Sequence, residues 1–145
     1  MINRKDIRSE IKRELREKLR INRFSARTSP LEPIEFPLAL VYFPDEKVID
    51  DKEIYTEREL ELHVEVGIIP KADPEDEIYG LSDQLESALL DSPRLTGLLR
   101  KIELISIHFV VEGDGEDIVS AAQHIYRINY LAPRAGAMVQ LQPVG

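Results

Sequence analysis

The sequence contains no cysteine and no long apolar run. The lack of cysteine excludes disulfides, thiolate catalysis and thiolate metal sites. No apolar run approaches the ~18 residues of a membrane helix, so we expect no membrane segment. The first ten residues, MINRKDIRSE, lack the apolar core of a signal peptide. We therefore expect a soluble protein that is made and kept inside a cell.

The common motifs of nucleotide binding and hydrolysis are also missing: the Walker loop, G-x-G-x-x-G, H-E-x-x-H and G-x-S-x-G. The histidines are His63, His108 and His124, and none has a second histidine at ligand spacing. Zinc needs about four convergent ligands. The run EGDGED at 112–117 lacks the spacing of a calcium loop and is interpreted as a hairpin turn. We therefore expect no metal, no cofactor and no catalytic residue.

The charge is unevenly distributed along 145 residues, a length that fits one domain. Residues 1–27 contain ten Lys/Arg and four Asp/Glu, which gives a net charge of 10 − 4 = +6. Residues 28–145 contain nine Lys/Arg and 23 Asp/Glu, which gives a net charge of 9 − 23 = −14. An acidic body disfavours nucleic-acid binding, which depends on neutralising phosphates. The basic segment is either a solvated helix face or a segment that docks on acidic surface of its own chain or a neighbour.

The N-terminal segment predicts an amphipathic helix over about residues 3–21. Asn3 can cap its start, with Asp6 three residues later. We expect the helix to end near Ile21, with Asn22 in the left-handed closing position. The apolar stripe repeats every four residues and comprises Ile7, Ile11, Leu15 and Leu19.

The next segments predict an extended connector, a strand and a loop. Residues 28–37 contain three prolines, which donate no backbone hydrogen bond and favour extended conformations. Residues 38–43 (LALVYF) are apolar and predict a strand that is buried on at least one face. Residues 44–57 are polar and acidic and predict a solvated loop.

The segment Arg58–Ile69 alternates between apolar and polar residues, which predicts a half-buried strand. Its polar face contains Glu59, Glu61 and Glu65. Glutamate is disfavoured in strands, so these carboxylates need water or cationic partners. The apolar face contains Leu60, Leu62, Val64, Val66 and Ile68.

The second half of the chain predicts a helix followed by two strands. Asp73 can cap a helix with Pro74 in its first position, and Asp91-Ser92-Pro93 ends it. A turn or short helix around Gly97 follows. Residues 102–111 are apolar on both faces, so this strand is expected to be interior or to form an interface. Residues 122–130 alternate again and predict the closing strand, ended by Pro133.

The order helix, strand, strand, helix, strand, strand predicts an α+β fold. We expect a mainly antiparallel sheet with two main helices packed on it, all within one domain over residues 1–132. Residues 133–145 show no periodicity and are expected to form a flexible C-terminal tail.

The segment from Phe36 to Leu131 resembles the tail terminator proteins of tailed phages, of the lambda minor tail protein U type. The strings FPLALVY, RELELHVEV and IYRINYLAP are similar to three of the family's strands. The passage LESALLDSPRLTGLL is similar to the family's acidic helix and the turn after it, although Thr96-Gly97 stands where two glycines are usual. The N-terminal helix and the last twelve residues show no close resemblance.

The resemblance implies a non-catalytic protein of the virion, which is assembled in the host cytoplasm and encoded by a phage or prophage. It implies a homo-hexameric ring that caps the tail tube, stops its polymerisation and joins the tail to the head. Its partners are then the tube protein and the head–tail connector proteins, and DNA passes through the lumen without specific binding. Candidate lumen or interface residues are Glu59, Glu61, Glu65, Ile105, Ile107 and Phe109.

Two alternatives stay open at this point. One is another head–tail joining or neck completion protein, which differs from a terminator only in its partners. The other is a small-molecule-binding domain or enzyme on an α+β scaffold, which requires a deep pocket with convergent polar groups. The acidic strand face likewise has a simpler interpretation, as ordinary solvated surface.

Overall fold

The computed structural model describes residues 2–25, 36–115 and 118–134. It confirms the α+β class, with two main helices and a third, short one. Most of the predicted proline-rich connector and nearly all of the predicted C-terminal tail lie outside the described residues. The elements in chain order are α1 (Arg4–Leu19), β1 (Arg23–Phe24), β2 (Leu38–Asp51), β3 (Tyr55–Ile68), α2 (Pro74–Leu90), α3 (Pro93–Leu98), β4 (Lys101–Glu112) and β5 (Val119–Pro133).

The five strands form one sheet in the order β1-β2-β3-β5-β4. All neighbours are antiparallel except β1 and β2, which are parallel. The pairing of β3 with β5 is unbroken from Tyr55 opposite Pro133 to Ile68 opposite Ser120. This long central pair fixes the positions of β2 and β4 on either side of it.

The predicted alternation of β3 is confirmed, and the strand begins three residues before Arg58. Its apolar side chains face the helices because burial there removes aliphatic surface from water. Ile68, the last of the predicted apolar residues, is partly buried. The buried core residues of this strand are Leu60, Leu62, Val64 and Val66.

The N-terminal helix forms as the sequence predicts, but its end differs. The side chain of Asn3 accepts a hydrogen bond from the backbone N–H of Asp6, and the Asp6 carboxylate accepts one from the N–H of Asn3. The prediction that Asn22 takes the left-handed closing position was wrong. Arg20 takes the left-handed conformation (φ 57°), and its N–H bonds the carbonyl of Leu15. Ile21 is then free to enter the core, where it is buried.

The start of α2 is confirmed in detail. The carboxylate of Asp73 accepts hydrogen bonds from the N–H groups of Glu75 and Asp76, and Pro74 occupies the first turn. The helix presents Ile78, Leu85 and Leu89 to the sheet, where all three are fully buried.

The predicted loop over residues 44–57 was wrong, because most of this segment is strand. β2 continues to Asp51 and pairs with β3 as far as Asp51 opposite Thr56, so the two strands form a hairpin arm. Register shifts lie between Tyr42 and Asp45 and between Val48 and Asp50. Such bulges interrupt the alternation from which a strand is predicted.

Glu46 explains why this acidic segment is ordered. Its carboxylate accepts hydrogen bonds from Arg4 of α1 (2.9 Å), Arg58 of β3 (2.8 Å) and the Tyr130 hydroxyl of β5 (2.6 Å). Burial raises the pKa of Glu46, but these hydrogen bonds outweigh burial and lower it to about 2. The carboxylate therefore joins the first turn of α1 to the hairpin arm.

We predict that Glu46→Gln lowers the free energy of unfolding by about 1–2 kcal/mol at neutral pH, since the side chain is partly exposed. The depressed pKa means that the carboxylate stabilises the fold fully above its ordinary pKa of 4.5 and loses this effect as the pH falls toward 2. Urea titrations at several pH values should show that the free energies of unfolding of the wild type and the variant become equal in acid. The control is Glu53→Gln in the same hairpin, which should change little; an equal loss in both variants would contradict this role.

Candidate assembly surfaces

The sheet face opposite the helices, called the open face, contains the polar side of β3. Residues Glu59, Glu61 and Glu65 lie on it as predicted, since each alternates with a buried core residue. Glu61 is exposed, and the other two are half-buried. In the described part of the chain the helices pack on the other face only, so half of the sheet surface is left without a helical cover.

Two carboxylates of the open face, those of Glu59 and Glu103, share a cationic partner. Arg127 of β5 lies 2.9 Å from the carboxylate of Glu59 and 3.8 Å from that of Glu103 on β4. The Nε2 atom of His63 lies 2.7 Å from a carboxylate oxygen of Glu61. The cross-strand pairs of Arg127 help to hold an acidic face in a sheet, whereas the contact of His63 with Glu61 lies within β3. Exposed pairs of this kind add little stability.

A polar cluster occupies the centre of the open face. The Nδ1 atom of His63 lies 3.1 Å from the hydroxyl of Tyr42, to which Gln123 also donates at 3.1 Å. Beside it, Ile105 and Arg127 help to line a shallow depression of about 110 Å³. Within the described residues no group of three or more His, Asp or Glu side chains could hold a metal ion.

The open face becomes apolar toward its other end. A depression there of about 320 Å³ is lined mainly by apolar residues, including Leu40, Val110 and Ala121. Gly67 allows the Phe36 ring to approach, because a Cβ at that position would lie 3.1 Å from the ring. The acidic surface therefore covers one part of the open face rather than all of it.

The strand β4 forms an edge of the sheet. Of the two predictions for this strand, the interior position was wrong, and a role in an interface stays a prediction. Its outer side has no paired strand in the described structure. Four of its large apolar side chains are exposed by 42–46%: Ile105, Phe109, Val110 and Val111. A long apolar edge strand is a surface that proteins usually cover.

The predicted interface residues of β4 do not share one face. A register shift between Leu104 and Ser106 makes Ile105 a bulged residue, and it lines the open face. Ile107 lies opposite the buried His124, and Phe109 opposite the buried Ala122, so both are on the helix side. The simple alternation assumed from the sequence fails because one bulge reverses the faces of all later residues.

The helix side of the β4 edge includes an aromatic pair. The ring of Phe109 meets that of Tyr79 from α2 edge-on, with 4.9 Å between centroids. Tyr79 is itself 45% exposed. No sequence motif marks Tyr79, although its position in an acidic helix is a signal that could have identified it.

The opposite edge of the sheet is also largely unpaired. The short strand β1 covers only Leu38 and Ala39 of β2. The outer edge of β2 beyond these residues pairs with no other strand in the described ranges. Each subunit therefore presents β2 at one edge and β4 at the other.

His124 belongs to a buried cluster rather than to a surface site. Its Nε2 atom lies 2.7 Å from the Ser82 hydroxyl of α2, and its Nδ1 atom 2.8 Å from the Tyr126 hydroxyl. Burial lowers the pKa of His124 to about 4, so the ring is neutral and donates to one hydroxyl while accepting from the other. All three residues are at most 2% exposed, so a substrate has no access to this serine–histidine pair.

We predict that Ser82→Ala lowers the free energy of unfolding by about 1–3 kcal/mol, because it leaves a buried ring nitrogen without a partner. Chemical denaturation monitored by circular dichroism measures this loss. Ser87→Ala on the exposed side of the same helix is the control and should stay within about 0.5 kcal/mol of the wild type. Equal effects of the two substitutions would contradict the assigned role of the cluster.

Comparison with known proteins gives the family. The family described as phage minor tail protein U matches residues 2–130, which includes α1 as well as the sheet. No curated protein matches the chain. None of the described helices is long and apolar enough to span a membrane. The chain therefore belongs to the phage minor tail protein U family, whose place is in the virion tail and whose role there is structural.

Proposed function

We propose that the protein is a tail terminator, a ring of six copies that caps the phage tail tube and joins it to the head. Its partners are the tube protein on one side of the ring and the head–tail connector proteins on the other. The role is assembly rather than catalysis. Membership in the tail protein family supports the general role, and the resemblance of residues 36–131 to terminators supports the specific one.

The observation that carries the proposal concerns the two sheet edges: in the described part of the chain, β4 and most of β2 have no paired strand on their outer sides. β2 and β5 run in one direction, and β3 and β4 in the other. If the copies are related by rotation about one axis, β4 of each copy lies beside β2 of the next. The two strands then run antiparallel to each other, as β2, β3, β5 and β4 do within the sheet. A heterologous contact of this kind generates a ring when the rotation closes.

The apolar residues of β4 give this contact its driving force. Phe109, Val110 and Val111 are each more than 40% exposed in the single chain. Covering them against a neighbour removes apolar surface from water at about 25 cal/mol per Å². Val110 and Ile105 lie on the open face, whereas Phe109 and Val111 lie on the helix side. Ile107 is half-buried beside the core.

The acidic part of the open face is assigned to the lumen. In a ring built edge to edge, one face of every sheet faces the axis and the other faces outward. The helices occupy one face, and we assign the other face, with Glu59, Glu61 and Glu65, to the channel. Carboxylates repel the phosphate backbone, so DNA passes without being retained.

We predict that the wild type forms hexamers and stops tail-tube elongation, with a ring visible at one end of each tube by electron microscopy. Phe109→Asp should weaken assembly by about 2 kcal/mol or more, because it places a charge in the apolar contact. Light scattering measures the oligomer, and tube lengths measure the function.

The control for this test is Ile54→Asp, at the turn of the hairpin arm, where the side chain is 54% exposed compared with 43% for Phe109. It should leave the oligomer and the tube lengths unchanged. Tubes that grow without limit in the presence of the wild type would overturn the terminator role. A ring found on the head side of a finished neck instead would identify a different head–tail joining protein.

We predict that a basic lumen retains threaded DNA. Replacing Glu59, Glu61 and Glu65 together by lysine should make the ring bind linear duplex DNA, and this binding should weaken steeply with salt. The wild-type ring should bind neither linear nor circular duplex. Closed circles cannot enter a preformed ring, so equal retention of linear and circular DNA by the variant would contradict the lumen assignment.

A further inference from the structure

The helix α1 carries a row of cations at the β1–β2 edge of the sheet, called the basic stripe and formed by Arg8, Lys12 and Arg16. These residues recur every four positions and so lie on one face of the helix. Arg8 donates to the backbone carbonyl of Val41 on β2 (3.1 Å). Lys12 and Arg16 lie 5.1 and 5.7 Å from the centre of the Phe24 ring on β1.

The basic stripe has no carboxylate partner among the described residues. Other cations of α1 do have one: Arg4 pairs with Glu46, Arg13 with Glu10 and Glu17, and Lys18 with Glu14. Burial, followed by the charges of Arg8 and Arg16, lowers the pKa of Lys12. Three like charges at this spacing repel one another, so the stripe gains from a nearby anionic surface.

The helix α2 is the opposite in charge. Residues 73–91 contain seven Asp/Glu and no Lys or Arg. Asp83 and Glu86 form no ion pair within the described residues, and together with Tyr79 they lie on one helix face, called the acidic face. The contact of Tyr79 with Phe109 places this face beside β4.

The basic stripe and the acidic face therefore lie at opposite ends of the layer of helices that packs on the sheet. The basic stripe contacts β1 and β2, and β1 is the first strand of the sheet order, whereas the acidic face lies beside β4, the last strand. Each surface combines charge with an exposed or half-buried aromatic ring, Phe24 on one side and Tyr79 on the other. Surfaces of opposite charge at opposite ends suit a head-to-tail contact between copies.

We infer that the acidic face of α2 in one copy, with Asp83 and Glu86, docks on the basic stripe of α1 in the next copy. The inference rests on the proposed ring and adds a specific helix-to-helix contact above the sheet-edge contact. Nucleic acid is the less favourable occupant of the stripe, because the chain as a whole has a net charge of −8. Complementary charge of this kind also selects the head-to-tail orientation over head-to-head pairing.

Charge reversal tests the contact. Arg16→Glu and Glu86→Lys should each weaken assembly at least about tenfold, by light scattering at low salt, and the two together should restore it. Raising the salt concentration should weaken the wild-type contact by screening. Lys71→Glu, in an exposed loop and with the same change in net charge as Arg16→Glu, is the control and should have no such effect. Circular dichroism confirms that each variant is folded.

Disulfide trapping gives a second readout, because the chain has no cysteine of its own. A mixture of Lys12→Cys and Glu86→Cys chains should form mixed disulfide dimers in excess of the two symmetric dimers. A chain with both substitutions should form a ladder of linked copies. A linked monomer instead would show that the two surfaces meet within one chain and would overturn the inference.

The outcomes separate this inference from the proposed function. If wild-type rings form and cap tubes while both charge reversals leave them unaffected, the inference fails and the terminator role stands. If the wild type forms no ring even with tail tubes, both fail. If the stripe variants lose binding to duplex DNA but not to other copies, nucleic acid is the occupant and the inference is wrong.

Discussion

The antiparallel pairing of β3 with β5 is the constraint on which the rest of the structure depends. It runs without a bulge along the full length of β3, and it separates two kinds of side chain. Leu60, Val64 and Tyr126 are buried beneath the helices, whereas Glu59, Glu61 and Arg127 lie on the open face. A shift of one residue in this register would exchange the two faces. The register therefore decides both where the core lies and which surface is left for assembly.

In the proposed ring, asymmetry between the two ends of the sheet lets one copy contact the next. One end presents β2 together with the basic stripe of α1, and the other presents the apolar strand β4 together with the acidic face of α2. A subunit whose opposite ends are complementary is suited to a closed ring. Glu46 supports one of these ends, because it joins α1 to the hairpin arm of β2 and β3.

Periodic features of the fold could be predicted from the sequence, and features that depend on distant partners could not. The alternation of β3, the Asn3 capping box and the start of α2 at Pro74 are local patterns, and all three are confirmed. The hairpin arm was missed because Glu46 finds its partners in α1, β3 and β5. The bulge at Ile105 was missed because no turn residue marks it. For the candidate site, Glu59, Glu61 and Glu65 share the strand face that the alternation predicts, whereas the bulge puts Ile105 and Phe109 on different faces. Their role in a lumen or interface stays a prediction.

The most direct test is an electron cryo-microscopy structure of the protein assembled on a tail tube. We predict a ring of six copies in which β4 of each copy lies beside β2 of the next and Glu59, Glu61 and Glu65 face the channel. A structure in which the open face points outward, or is covered by another protein, would contradict the account.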